Sequence, residues 1–311
     1  MPSIALIFPG QGSQKVGMGK DLVAAFPVAK TIFETANQVL GRDIMSLCFD
    51  GPHEDLTLTS NAQPSIFVVS AALLEVLKSH GVTPSYVAGH SLGEITAYYA
   101  AGVIDFETAL KIIDARGNGM AASVPAGRSG MAAIMGLELA DIETVLAPFK
   151  DRPVVAANLN CPGQIVISGE KIALDEACAL LKLAGAKVIP LPVSGAFHSP
   201  MMQPGARNLA EFIKPLEFKA AQIPIVLNRT AQPETRADEL KANLPLQVVS
   251  PVRWIESVRH LMDTVATVVE VGPGKVLTGL VKKIAPDLNV VTINDAGTAT
   301  EWLRTALAQQ H

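Results

Sequence analysis

The stretch that most restricts the fold is SYVAGHSLGEITAYYAAG, residues 85–102. A short apolar run ends in glycine, a tight turn follows, and a periodic apolar stretch begins at once. This reads as strand, sharp turn, helix. Connections of this kind belong to a sheet covered by helices. The alternation recurs along the chain. SIALIF reads as a buried strand. QPSIFVVSAALLEVLKSHG reads as a helix with Pro64 in its first turn and Gly81 as its stop. DFETALKIIDARGNGM reads as another helix, with Asp105 as N-cap.

After the flexible PAGRSG the pattern changes. MAAIMGL (strand), ELADIETVLAPF (helix), PVVAANLN (strand), GQIVISG (strand), KIALDEACALLKLAG (helix) and KVIPLPV (strand) follow in order. That order, β-α-β-β-α-β, predicts a ferredoxin-like subdomain at 126–194. Residues 1–125 and 195–311 then form the main parallel-sheet domain, to which the chain returns at SGAFHSPMM. A site in the cleft between the two parts is the expectation.

Composition narrows the classes. Of 311 residues, 49% are hydrophobic and only 17% charged, which suits a well-buried globular enzyme and argues against disorder. A net charge of −4 supplies no global basic field for nucleic acid. Cys48, Cys161 and Cys178 have no metal-ligand spacing, and three thiols do not make a disulfide scaffold. They read as small buried thiols. No signal-peptide pattern opens the chain, and no apolar run reaches the roughly 18 residues of a membrane span. A cytoplasmic protein with no metal site is expected.

The first strand runs into PGQGSQKVGMG, a glycine loop of the kind that often cradles phosphate. The dinucleotide fingerprint G-x-G-x-x-G fails at its third position, which is Lys15. The acidic residue about 20 positions on should end a strand, but Glu34 lies in a helical stretch. A P-loop needs Ser or Thr after Gly-Lys, and Lys20 is followed by Asp21. The loop therefore serves another purpose or none.

Three residues carry chemistry. Ser91 sits in G-x-S-x-G between a strand and a helix, where the turn exposes its hydroxyl at the helix N-terminus. The bland alternative is a plain strand–helix turn. Serine needs a base. Of six histidines, His311 is terminal, His53 lies in the polar loop GPHEDLTLT, and His80 ends a helix. His260 fits a mixed helix, and the side chain of His90 diverges from its neighbour Ser91. His198, after a strand end in GAFHSP, is left as the base, against a merely structural role. No acid claims the third position of a triad, so a backbone carbonyl could fix the imidazole instead. Arg116 follows Ala109, Ile112 and Ile113 and precedes Met120 on the apolar face of its helix. A buried guanidinium needs an anion. That anion is either an internal Asp or Glu, or a free substrate carboxylate held in a bidentate fork.

Together, FPGQGSQ, GHSLGE, the Arg-Gly pair with Met120, NLNCPGQIVISG, GAFHSPMM, QVVSPVRW and VGPGK closely resemble the malonyl-CoA:acyl carrier protein transacylases and the acyltransferase domains of polyketide synthases. The resemblance runs almost end to end. It implies an α/β-hydrolase-like core with the inserted subdomain. It also implies that the glycine loop serves an oxyanion, through the backbone N–H groups of Gln11 and Leu92. Ser91 would attack the thioester of malonyl-CoA with His198 as base. Gln247 would accept from the imidazole through its main-chain carbonyl. Arg116 would bind the malonyl carboxylate, and Asn158 and Asn160 would face the cleft from the insert. Phe197 would crowd a 2-methyl branch. The phosphopantetheine thiol of acyl carrier protein would then take the malonyl group, a ping-pong transfer supplying fatty acid or polyketide synthesis. The resemblance implies no cofactor beyond these thioesters, and a monomer. Lys282 and Lys283 are candidate carrier contacts. The departures, namely Ile95, Cys161 and the stretch PIVLNRTAQ, are expected to leave the chemistry untouched.

Two other classes share parts of the pattern. A serine thioesterase or esterase would use G-x-S-x-G but leave Arg116 without a reason, and a patatin-like lipase would need a catalytic Asp. A carrier-docking module without turnover would be expected to lose Ser91, His198 or Arg116, and all three are present.

Overall fold

The computed structural model describes residues 3–149, 151–193 and 195–308; His311 and Ser194 lie outside them. Ten strands form two sheets. They are β1 Ile4–Phe8, β2 Tyr86–Gly89, β3 Ser129–Met135, β4 Val154–Cys161, β5 Gln164–Glu170, β6 Lys187–Pro190, β7 Ile225–Val226, β8 Pro233–Glu234, β9 Thr267–Val271 and β10 Asn289–Ile293. The larger sheet has the order β10-β9-β1-β2-β7-β8 and is parallel except for β8, which runs antiparallel to β7.

The central strand shows why the larger sheet forms. Every residue of β1 is buried. Ile4, Leu6 and Phe8 enter one apolar cluster, and Ala5 and Ile7 enter another on the opposite face. A strand covered on both sides must be apolar throughout, because its side chains alternate between faces. β1 and β2 lie side by side in register, Phe8 opposite Gly89. Their C-terminal ends therefore bring the glycine loop and the G-x-S-x-G turn together.

The second sheet is antiparallel, in the order β4-β5-β3-β6, with helices Leu139–Leu146 and Lys171–Leu183 packed on one face. Ala132 and Ile134 point to those helices, while Met131 and Ala133 join the main core cluster. An isolated β-bridge, Asn158 with Val252, is one tie between this sheet and the rest.

Two local expectations are corrected. The helix expected from Gln63 starts four residues earlier and spans Thr59–Ser79, with Pro64 inside it. The N–H that proline lacks would have faced the C=O of Ser60, and that carbonyl accepts from Arg42 Nη2 at 3.0 Å instead. This helix is also long and apolar enough to cross a membrane by length and composition, but 83% of that window is buried inside the protein. It is a core helix. His53 is not in a loop but begins a short helix, His53–Thr57.

Candidate active site

The turn after β2 has a shape that only its sequence allows. Ser91 has φ 52° and ψ −107°, left-handed backbone that a side chain rarely adopts. Gly89 and Gly93 flank it because nothing larger fits. A Cβ on Gly89 would lie 1.9 Å from the carbonyl carbon of Gly93, and one on Gly93 would lie 2.0 Å from Phe8 O. Helix Leu92–Ala100 therefore begins directly against the end of β1. The glycine loop makes the same approach from the other side: a Cβ on Gly10 would meet His90 O at 2.5 Å.

A cavity of about 390 Å³ opens above this turn. Gln11, Ser91, Leu92, Arg116, Asn158, Asn160, Phe197 and His198 all line it. Of the expected site residues only Gln247 does not. It is buried behind Ser91, on helix Ala237–Val248. Met131 and Val166 come from the second sheet, and Leu277 and Leu280 from helix Val276–Ile284. The N-terminus of that helix is held by the buried carboxylate of Glu270, at the end of β9. Its two oxygens accept from Leu277 N at 3.0 Å and Thr278 N at 2.7 Å.

Ser91 Oγ lies 2.7 Å from His198 Nε2. On the other side of the ring, Nδ1 faces two main-chain carbonyls, Gln247 O and Ser250 O, each at 3.1 Å. A carbonyl only accepts, so the Nδ1 proton stays there and Nε2 presents its lone pair to the serine hydroxyl. Burial and the nearby Arg116 charge push the imidazole down to about 3. It is neutral at physiological pH and able to take a proton.

Arg116, 2% exposed, emerges from helix Phe106–Ala122, which Asp105 caps by accepting from Thr108 N. Its guanidinium donates to Gln63 Oε1 at 2.8 Å, Gln247 Oε1 at 3.0 Å and Ser91 Oγ at 3.0 Å. Among the described residues it forms no ion pair with a carboxylate. Burial lowers it to about 10, so it stays charged.

A buried polar network lies beneath. Asn228 Oδ1 accepts from Ser91 N at 2.7 Å, and its Nδ2 donates to Gly89 O at 2.6 Å. Glu94, fully buried, accepts from Asn228 N at 2.5 Å and Asn243 Nδ2 at 2.7 Å, and burial raises it to about 7. Gln247 Nε2 donates to Ser91 O at 2.8 Å. This corrects the expectation that PIVLNRTAQ leaves the chemistry untouched: its Asn228 bonds Ser91 N and Gly89 O, on either side of His90. Ile95 and Cys161 do sit in core clusters. Sequence reasoning also passed over Gln63, Glu94 and Asn243. Glu94 carried a signal, as a charge on a helix otherwise apolar all round. The Ser250 carbonyl carried none, since every residue has one.

His90 does turn away from Ser91. Its Nε2 meets Asn160 Oδ1 at 2.9 Å and its ring stands edge-on to Trp254. Asn158 Oδ1 is buried without a partner among the described residues. Asp50–Gly51 is the kind of pair a patatin-like enzyme would use, but Asp50 is exposed and bonded to Lys20 at 3.1 Å, outside the cavity.

The acyl transferase domain family matches residues 5–303. A malonyl CoA-acyl carrier protein transacylase of Bacillus subtilis (strain 168) is 45% identical over 302 residues, covering 96% of this chain and 95% of that protein. An acyl carrier protein S-malonyltransferase from Vibrio cholerae superposes with a TM-score of 0.94 at 43% identity, covering 96% and 99% of the two chains. A malonyl-transacylase solved in complex with a type II PKS acyl-carrier protein gives 0.95 at 40% identity, covering 97% and 99%. The chain belongs to the acyl transferase domain family.

Proposed function

We propose that the protein transfers the malonyl group of malonyl-CoA to the phosphopantetheine thiol of acyl carrier protein through a malonyl-Ser91 intermediate. The observation that carries this reading is Arg116. It is a buried guanidinium with neutral protein partners, 3.0 Å from the hydroxyl of a serine whose base is in place. A thioesterase has no use for that cation, whereas a substrate with a free carboxylate does.

His198 Nε2 takes the Ser91 proton as Oγ attacks the thioester carbon. The N–H groups of Gln11 and Leu92 stabilise the oxyanion, and donors of this kind are worth about 10²–10³ in rate each. The C–S bond breaks, and the coenzyme thiolate takes the proton from His198. The carrier thiol enters and gives its proton to His198, and its sulfur attacks the malonyl ester. Ser91 leaves and recovers the proton. Arg116 holds the malonyl carboxylate throughout, with Asn158 and Asn160 facing the substrate from the second sheet and Phe197 limiting its width. No cofactor or metal takes part.

The finer architecture belongs to the same reading. Residues 1–125 and 195–311 form an α/β-hydrolase-like core, supported by the parallel sheet and the elbow. Residues 126–194 form a ferredoxin-like subdomain, supported by the strand order β4-β5-β3-β6. We read the enzyme as a cytoplasmic monomer.

Intact mass after brief mixing with malonyl-CoA, with acetyl-CoA in parallel and Ser91→Ala as control, tests the reading. A single malonyl adduct is expected, absent from the variant and discharged by a pantetheine thiol faster than by water. Steady release of free coenzyme A without an adduct, or discharge by water as fast as by thiol, would favour the thioesterase.

A further inference from the structure

The backbone of Ser91 is held in a rarely populated conformation, and something must hold it there. Values of φ and ψ are set by the two peptide planes that flank a residue. Both planes at Ser91 are gripped by buried amide side chains. The plane before it presents its N–H to Asn228 Oδ1 at 2.7 Å, and the same side chain donates to Gly89 O at 2.6 Å. The plane after it presents the Ser91 carbonyl to Gln247 Nε2 at 2.8 Å, beside the Glu94 N–H of the following helix at 3.1 Å. The two amides are themselves 3.5 Å apart, Nε2 to Oδ1, and both residues are buried, 1% exposed for Gln247 and 0% for Asn228.

The second grip has a directional consequence. In a trans peptide the C=O and N–H point to opposite sides. The Ser91 carbonyl points inward to Gln247, so the N–H of the same plane, that of Leu92, points outward toward the cavity that Leu92 lines. We infer that the side chains of Asn228 and Gln247 form an amide clamp on the nucleophile turn and are positioning residues that aim the Leu92 N–H at the developing oxyanion. This rests on the acyl-serine reading and adds to it a role for the Gln247 side chain distinct from its main-chain carbonyl. The Gln247 amide also accepts from Arg116 at 3.0 Å, so one side chain aligns the carboxylate-binding cation with the turn.

Acetyl-CoA separates the two contacts of Gln247, since acetyl has no carboxylate for Arg116. The variants are Gln247→Met, which loses both contacts, Gln247→Glu, which keeps an acceptor for Arg116 but loses the donor to Ser91 O and adds a negative charge beside the guanidinium, and Asn228→Leu. Rates of Ser91 acylation by acetyl-CoA and malonyl-CoA are measured by intact mass across pH, per folded molecule, with wild type alongside. An adduct on wild type establishes the acyl-serine, and its absence overturns that reading and the clamp together. With the adduct present, each variant is expected to acylate from acetyl-CoA about ten-fold or more slowly. The loss should fall in kcat with KM unchanged, and in the neutral variants Gln247→Met and Asn228→Leu with the pH profile unchanged as well, because the base is intact and the missing interaction is made only in the transition state. Gln247→Met should lose further on malonyl-CoA. Acetylation at the wild-type rate in both Gln247 variants would overturn the proposal. So would a loss in Gln247→Met that appears as a shifted pH profile, which would place the effect on His198. Should Asn228→Leu fail to fold, the two Gln247 variants decide.

Discussion

Arg116 holds its charge in a place where its partners are the amide oxygens of Gln63 and Gln247 and one hydroxyl. Neutral acceptors satisfy its hydrogens but leave its charge uncompensated at contact distance, and a malonyl carboxylate would supply the missing anion. Arg116→Ala should therefore lower kcat/KM for malonyl-CoA by at least about 1.5–3 kcal/mol and raise the relative use of acetyl-CoA. Steady-state rates with the two thioesters check this, and an unchanged malonyl preference would remove Arg116 from the site. His198→Ala should slow acylation of Ser91 at neutral pH, since no other imidazole reaches the hydroxyl among the described residues. A normal rate by rapid-quench mass spectrometry would mean another base. The histidine also links stability to pH. Its folded value, about 3, lies below the ordinary 6.5, so the unfolded chain takes the proton first as pH falls. Stability present above about 6.5 is lost progressively down to about 3. Denaturant midpoints at stepped pH should fall less steeply across that window in His198→Ala than in wild type. Ser91, His198 and Arg116 were legible because each broke or completed a local pattern. Asn228 was not, because a lone asparagine after an apolar run reads as the start of a turn until its distant partner is known.

Two connections between elements do the mechanical work. Where β2 turns into helix Leu92–Ala100, a methyl group at Gly93 would stand 2.0 Å from Phe8 O. Backbone cannot yield as a side-chain tip does. Gly93→Ala should cost at least about 1–3 kcal/mol of folding stability, read as a lower denaturant midpoint. Where β9 runs into helix Val276–Ile284, Glu270 satisfies two N–H groups of the first turn from outside the helix. Glu270→Ala would leave both buried and unpaired. A loss of about 1–3 kcal/mol is expected, with a raised KM for malonyl-CoA, because Leu277 and Leu280 of that helix form part of the cavity wall. A lower melting temperature with unchanged KM would separate the cap from the site. Strand and helix identities could be read from periodicity, and the Asp105 cap from its position. The start of helix Thr59–Ser79 could not. Proline marks a first turn more often than an interior, and here burial favours the helix while Arg42 satisfies the carbonyl that the ring leaves free.

Across the molecule, the residues of the site come from the ends of β1 and β2, from five helices, from the second sheet and from the segment carrying His198. The order of the larger sheet was not legible, because β7 and β8 are two residues each and leave no periodic trace. The alternation that implied an α/β fold, and the change of pattern after residue 125, were both visible in the chain. Lys282 and Lys283 are exposed in the last turn of the helix whose first turns line the cavity, and the net charge of the whole protein is −4. A carrier docking there would feel local rather than global attraction. Lys282→Glu with Lys283→Glu should raise KM for the carrier and flatten its dependence on ionic strength, leaving acylation by malonyl-CoA intact. Salt-insensitive transfer in the wild type would count against docking by charge. One strap joins the two sheets beside the nucleophile: Asn160 of β4 bonds His90, and the His90 ring stands edge-on to fully buried Trp254, ring centres 5.6 Å apart. Trp254 is one of two tryptophans, and the other, Trp302, lies in the C-terminal helix Ala296–Ala308 and packs against the main core cluster. The protein thus contains its own optical gauge: any parting of the sheets that releases Asn160 from His90 changes what surrounds one indole, and fluorescence would follow the cleft without an added label.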